Sequence, residues 1–233
     1  MKVIKNFAVF VAVILLAAIV LFTVNGYTKY RRALENVPLS EKINELKEND
    51  NYCTIDELPD VYVKAVVAVE DRRFYYHSGF DVIGTVRALL ADIRAGKMVE
   101  GGSTITQQLA KNLYFPQDNT LERKIAEVFM AFHMENELDK DEILELYFNC
   151  IYYGSGYYCI YDAAMGYFGK EPSEMNGYEA TLLAGVPNAP SVYSPKVNIE
   201  LAHRRQEKVV ATMAECGYLS EDECDDILIM QNQ

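Results

Sequence analysis

The stretch EDRRFYYHSGFD, Glu70 to Asp81, follows directly on the apolar run VYVKAVVAVE, residues 61–70. How that run is read decides the fold. Tyr62, Ala65, Val66 and Val69 recur at helical spacing, Pro59 suits a helix start, and Asp56 and Glu57 stand where a helix dipole favours acids. The valines suit a strand as well, so local propensity leaves both readings open. As a helix, the run would end at Glu70, where the dipole opposes a negative charge. Asp71 adds like-charge repulsion, and Phe74, Tyr75 and Tyr76 would keep water away. All three effects raise a carboxyl pKa toward that of a general base. The competing reading pairs Glu70 with Arg72 or Arg73 at the surface, and a lone His77 is as readily structural.

Helical patterns dominate downstream. Val82, Val86, Leu89, Leu90 and Ile93 make one stripe ending near Gly96. In GGSTITQQLAKN, residues 101–112, Thr104 and Gln107 form a capping box, and Ile105, Leu109 and Leu113 share a face. The stripe Leu121, Ile125, Val128, Phe129, Phe132 marks a further helix. Asp139 and Glu142 cap the next, which carries Ile143, Leu144 and Tyr147. A tyrosine- and glycine-rich turn, YYGSGYY, leads into YDAAMGYFGK, and a helix through EATLLAGV stops at Pro187. A last helical pair spans about 199–215 and 220–229. Strand alternation is scarce, so the expected class is mainly α.

The chain has 233 residues, half of them hydrophobic, and a net charge of −12. That disfavours a general nucleic-acid binder, because phosphate backbones are held by basic faces. From Phe7 to Val24 no residue is charged, which meets the length of a membrane-spanning helix, and no small-x-small cleavage site follows. An uncleaved anchor over residues 1–28 is expected, then a polar stalk over 29–58 and a domain over 59–233. Lys2 and Lys5 on one side and Lys29, Arg31 and Arg32 on the other leave orientation undecided. Five cysteines (Cys53, Cys150, Cys159, Cys216, Cys224) show no zinc spacing and neither prove nor exclude a disulfide.

Two more constellations carry chemistry. GGST before a helix offers free amides to an anion, and Lys111 shares a face with Gln107 and Gln108 two turns on, so the set could hold a phosphate. The bland reading is a well-capped soluble helix. In RKIAE, Arg123 to Glu127, the acid lies opposite the apolar stripe: either a surface i,i+4 pair or a second carboxylate facing a cleft with cations. Two carboxylates with Lys111, Arg123 and Lys124 fit sugar transfer from a phosphorylated donor. A pyrophosphate leaves well and needs positive charge, whereas a hydrolase must protonate a poor alkoxide.

Taken together, the motifs closely resemble those of the peptidoglycan glycosyltransferases of glycosyltransferase family 51. EDRRFYYHSGFD is similar to the family's E-D-x-x-F-x-x-H-x-G-x-D, and GGSTITQQLAKN to its G-x-S-T-x-T-Q-Q-x-x-K-N. RKIAEVFMAFHMENELDKDEILELYFN, YDAAMGYFGK and YEATLLAGVPNAPSVYSP resemble the remaining three blocks, in family order, from about Leu58 to about Glu223. The resemblance implies a lysozyme-like helical domain with a small membrane-associated jaw that includes the helix in 82–100. It implies polymerisation of lipid II onto a growing glycan chain outside the cell membrane, with inversion and release of undecaprenyl pyrophosphate.

By the same resemblance, Glu70 is the base and Glu127 assists at the pyrophosphate, directly or through a divalent cation (Mg or Mn). Ser103, Thr104, Gln107, Gln108, Lys111 and Asn112 hold the donor, Arg123 and Lys124 add charge, and Asp71, Phe74 and His77 shape the acceptor side. Cell-wall synthesis machinery is an expected partner. Two positions depart from the pattern: Asn119 where many relatives have arginine, and Cys159 where glycine is usual. The absence of S-x-x-K and K-T-G leads us to expect a monofunctional enzyme. The alternatives are a lysozyme-like wall hydrolase and a non-catalytic membrane-anchored scaffold.

Overall fold

A computed structural model describes residues 2–96, 101–116 and 120–232, and every regular element among them is helical. In chain order these are α1 (Lys2–Asn36), α2 (Leu39–Lys47), α3 (Asp60–Glu70), α4 (Val82–Ala95), α5 (Ile105–Tyr114) and α6 (Leu121–Glu137). They are followed by α7 (Lys140–Phe148), α8 (Ile160–Phe168), α9 (Gly177–Gly185), the single turn α10 (Pro190–Tyr193), α11 (Ile199–Glu215) and α12 (Glu221–Ile229).

The valine-rich run is therefore a helix. Tertiary packing settles what propensity left open: Tyr62, Ala65, Val66, Val67 and Ala68 are all buried, where α3 packs against α9 and α11. Each fully buried Val or larger side chain there contributes about 1.5–3 kcal/mol. The hydroxyls of Tyr62 and Tyr153, both inaccessible, meet at 2.7 Å, so neither is left unpaired in the core. Pro59 stands at the N-cap of α3, and Glu70 is its last residue.

Caps read from sequence recur in the structure. Thr104 accepts from the Gln107 amide while the Gln107 side chain returns to the Thr104 amide, and Asp139 and Glu142 do the same for α7. Cys159 stands at the N-cap of α8, its sulfur accepting from the Asp162 amide at 3.4 Å. Its φ of −143° is extended backbone open to any residue, so glycine is not required there. All five cysteines are free thiols.

The polar stalk expected over residues 29–58 is corrected by the structure. Helix α1 continues unbroken to Asn36, and Tyr30, Ala33 and Leu34 pack on the core. Leu39 and Cys53 are buried, and the Asn149 side chain accepts from the Cys53 amide at 2.9 Å and donates to its carbonyl at 2.7 Å. Tyr52 donates to Glu145 at 2.6 Å. Leu39, Ile43 and Leu46 fall at helical spacing in this segment, but its contacts with residues about a hundred positions away leave no trace in local sequence.

Helix α1 runs along α6. Gly26 permits the approach: a Cβ there would lie 2.5 Å from Cγ2 of Ile125. Tyr27 meets Phe129 edge-on with ring centroids 5.2 Å apart. Among the described residues, this helix alone is long and apolar enough to cross a membrane, with mean hydropathy 3.1 over its most apolar eighteen residues, none of them buried. Helix α4 is also apolar on its outside: Val82, Ile83, Val86, Leu89, Leu90 and Ile93 are exposed, and it ends at Gly96 in a left-handed cap. Residues 97–100 of the expected jaw lie outside the described residues.

Candidate active site

The end of α3, the start of α5 and the first two turns of α6 surround one cleft of about 420 Å³. Glu70, Ser103, Gln107, Gln108, Lys111, Arg123, Lys124 and Glu127 all line it. Three short sequence motifs thus meet because three helix ends converge.

Glu70 is held by one bond. Gln108 Nε2 donates to Glu70 Oε2 at 2.9 Å, and Tyr147 donates to Gln108 Oε1 at 3.2 Å, which orients the amide. The other oxygen, Oε1, is buried and has no protein partner. Burial pushes the Glu70 carboxyl above the usual glutamate value of 4.5. The Gln108 bond and the positive charges of Arg205 and Lys111 work against that rise, and Asp71 adds to it. Of the three rings expected to shield Glu70, two are open to solvent. Phe74 is in the core, and Tyr75 and Tyr76 are exposed.

Glu127 is 1% exposed, so the surface reading of its pair with Arg123 does not hold. Arg123 Nη1 donates to Oε1 and Lys124 Nζ donates to Oε2, the latter at 2.9 Å. Lys124 also donates to Ser103 Oγ at 2.6 Å, bridging the glycine-rich loop to α6. Both cations are therefore fixed at the cleft wall. Both oxygens of Glu127 are engaged by these cations, and among the described residues no group of three or more His, Cys, Asp or Glu side chains could hold a metal. This donor set does not fit a divalent ion on Glu127.

Four buried side-chain atoms among the described residues lack a protein partner: Glu70 Oε1, His77 Nδ1, Gln107 Nε2 and Arg123 Nε. Three belong to residues of this cleft. Buried polar atoms without partners are costly, about 1–3 kcal/mol each, and their convergence marks a surface built for a polar ligand.

Other expected site residues lie behind the cleft. Asp71 receives His77 Nε2 at 2.9 Å and the Ile105 amide at 3.1 Å, and both side chains are nearly inaccessible. Phe74 is fully buried, with Lys140 Nζ 4.3 Å from its ring centre. Thr104 donates to the Gly79 carbonyl at 2.8 Å. These residues brace the site from inside the domain, and Asp71 and Thr104 also line a small hollow beside Glu70. Asn112 is outside the cleft's lining, and Asn119 lies outside the described residues.

Sequence reasoning missed Pro187 and Asn188, which line the cleft, and a second basin of about 350 Å³ that shares Glu70, Gly101 and Asn188 with it. Arg72, Arg87, Arg205 and Lys208 line that basin. The run RRQEK, residues 204–208, was its one visible signal.

The chain matches the transglycosylase family over residues 38–214. It is 46% identical over 175 residues to penicillin-binding protein 1A of Aquifex aeolicus, an alignment covering 75% of this chain and 24% of that protein. It is 40% identical over 215 residues to a Cupriavidus necator protein provisionally named a transglycosylase, covering 92% of this chain and 89% of the other. Penicillin-binding protein 1F of Bacillus subtilis is 43% identical over 176 residues, 76% of this chain and 25% of its own length. With the helical domain and a cleft built from the expected motifs, these matches establish that the chain belongs to the transglycosylase family, the peptidoglycan glycosyltransferases.

Proposed function

We propose that this cleft polymerises lipid II. Glu70 takes the proton of the acceptor sugar's 4-hydroxyl as that oxygen attacks the anomeric carbon of the growing chain. The new glycosidic C–O bond forms with inversion, the anomeric C–O bond to the diphosphate breaks, and undecaprenyl pyrophosphate leaves with its negative charge. Lys111, Arg123 and Lys124 stabilise that charge, and Glu127 fixes the last two in place. A raised Glu70 pKa suits a base, and cations held before the reaction need no reorganisation during it.

One observation carries the reading: the orphaned Glu70 Oε1 shares a cleft with cations anchored on Glu127. A hydrolase would need, beside Glu70 as acid, a second carboxylate free to act as base or nucleophile, and Arg123 and Lys124 already donate to both oxygens of Glu127.

The substrate's lipid tail stays in the bilayer, which accounts for an enzyme tethered there. In this reading α1 crosses the membrane once, the domain lies outside the cytoplasm, and the exposed apolar face of α4 rests on the lipid as the jaw. Incubating the purified full chain with lipid II and resolving glycan strands on a gel tests the proposal. The parent is expected to make polymer and Glu70→Gln none, with the variant still folded. Polymer from the variant, or digestion of finished peptidoglycan by the parent, would overturn it.

A further inference from the structure

Beside the contact between α1 and the start of α6 lies a groove of about 640 Å³, which shares no described lining residue with the catalytic cleft. Lys29 and Arg32 line it with the polar side chains of Asn25, Thr28, Asn36 and Thr120, and Glu122 is the one acid among the described lining residues. In a chain of net charge −12, the described lining is a local excess of positive charge amid polar side chains. Its height is set by the helix itself. The strongly apolar run ends at Val24, so Lys29 and Arg32 stand five and eight residues beyond it, about 8 and 12 Å along the axis. The headgroup layer of one leaflet is about 5–8 Å deep, and long cationic side chains reach back toward it. Tyr27 and Tyr30, packed on Phe129, sit at the depth where amphipathic rings collect in membranes.

We propose that this groove binds the headgroup phosphate of a membrane phospholipid. The inference rests on α1 crossing the bilayer, and it assigns to the protein a lipid site separate from the catalytic cleft. Lys29 and Arg32 pair with the phosphate oxygens, Asn25 donates a hydrogen bond, and the acyl chains run down beside the apolar part of α1.

The full chain in detergent, offered phosphatidylglycerol or a phosphate-free galactolipid, tests this by native mass spectrometry. Phosphatidylglycerol is expected to be retained in preference, and the double variant Lys29→Ala, Arg32→Ala to hold it about thirtyfold more weakly. Arg31→Ala removes a charge from the same helix but from outside the groove, where Arg31 pairs with Glu35 at 3.5 Å, and is expected to change retention little. Circular dichroism and glycan polymerisation confirm that each variant is folded. Equal retention of both lipids, or equal losses in Arg31→Ala and the double variant, would overturn the site. A tenfold preference for undecaprenyl pyrophosphate over phosphatidylglycerol would assign the groove to the leaving group and sink the phospholipid proposal. Failure of the parent to float with galactolipid vesicles would instead strike at the membrane span.

Discussion

The main-chain amide of Ile105 donates to Asp71 Oδ2 at 3.1 Å, joining the first residue of α5 to the residue that follows Glu70. Because Gln108 is one turn along α5 and bonds Glu70 at 2.9 Å, the two bonds close a short loop. Asp71 thereby sets the distance between the base and the amide that steadies it.

Asp71→Ala is accordingly expected to act first on stability. It leaves the buried Ile105 amide and His77 Nε2 without their acceptor, a loss of about 2 kcal/mol. Denaturant unfolding should report that loss, together with a fall in kcat. A raised KM for the acceptor at unchanged stability would show that Asp71 shapes the substrate surface instead.

Gln108 donates to Glu70 and so favours its charged form, opposing the effect of burial. Removing that donor in Gln108→Ala should raise the Glu70 pKa further. A base must be deprotonated to act, so activity falls as pH drops through its pKa. The acid limb of kcat/KM is therefore expected above the ordinary glutamate range in the parent and at still higher pH in the variant. An acid limb that stays in place would separate Gln108 from the base.

The same carboxyl makes a thermodynamic prediction. A group whose folded pKa is raised contributes its stabilisation below the unfolded value of 4.5 and loses it as pH rises through the folded pKa. Glu70→Gln removes that loss. The variant should melt at a higher temperature than the parent at neutral pH, and the gap should close as pH falls toward 4.5. Calorimetry across that range checks both the sign and the window.

Glu127 and Lys124 should behave as a unit. Glu127→Gln leaves two cations at the cleft wall without their anchor, and polymerisation is expected to fall about 100-fold. Lys124→Met removes one of those cations and should also be deleterious. Because the pair bonds at 2.9 Å, the double variant should lose less than the product of the single losses, by about 1 kcal/mol or more. Multiplicative losses would mean that the two act separately.

The site was legible where chemistry and helical period coincide. Gln107, Gln108 and Lys111 fall on one face of a well-capped helix that Ser103 immediately precedes, and Glu127 lies off the apolar stripe of another, so local spacing already grouped them. The supporting residues were not legible in this way. Asp71 and His77 look like site residues by type, and only the positions of Ile105 and the surrounding core show them turned inward. Arg205 and Asn188 reach the site from more than sixty residues beyond Glu127, and nothing local beyond the basic run RRQEK points to either. The buried course of residues 39–53 was hidden for a related reason. Leu39, Ile43 and Leu46 do share one helical face there, and only their partners elsewhere in the chain show that this face is covered.

The contact of Gly26 with Ile125 has a mechanical consequence. A span continuing as one rigid rod into the catalytic body acts as a strut rather than a leash, holding the reaction centre at a set elevation and compass bearing over the lipid surface. Polymer growth on such a mount would feed the strand past a stationary head. One residue inserted into α1 just before Gly26 would turn the rod by about 100°, misaiming the groove while leaving every catalytic side chain intact.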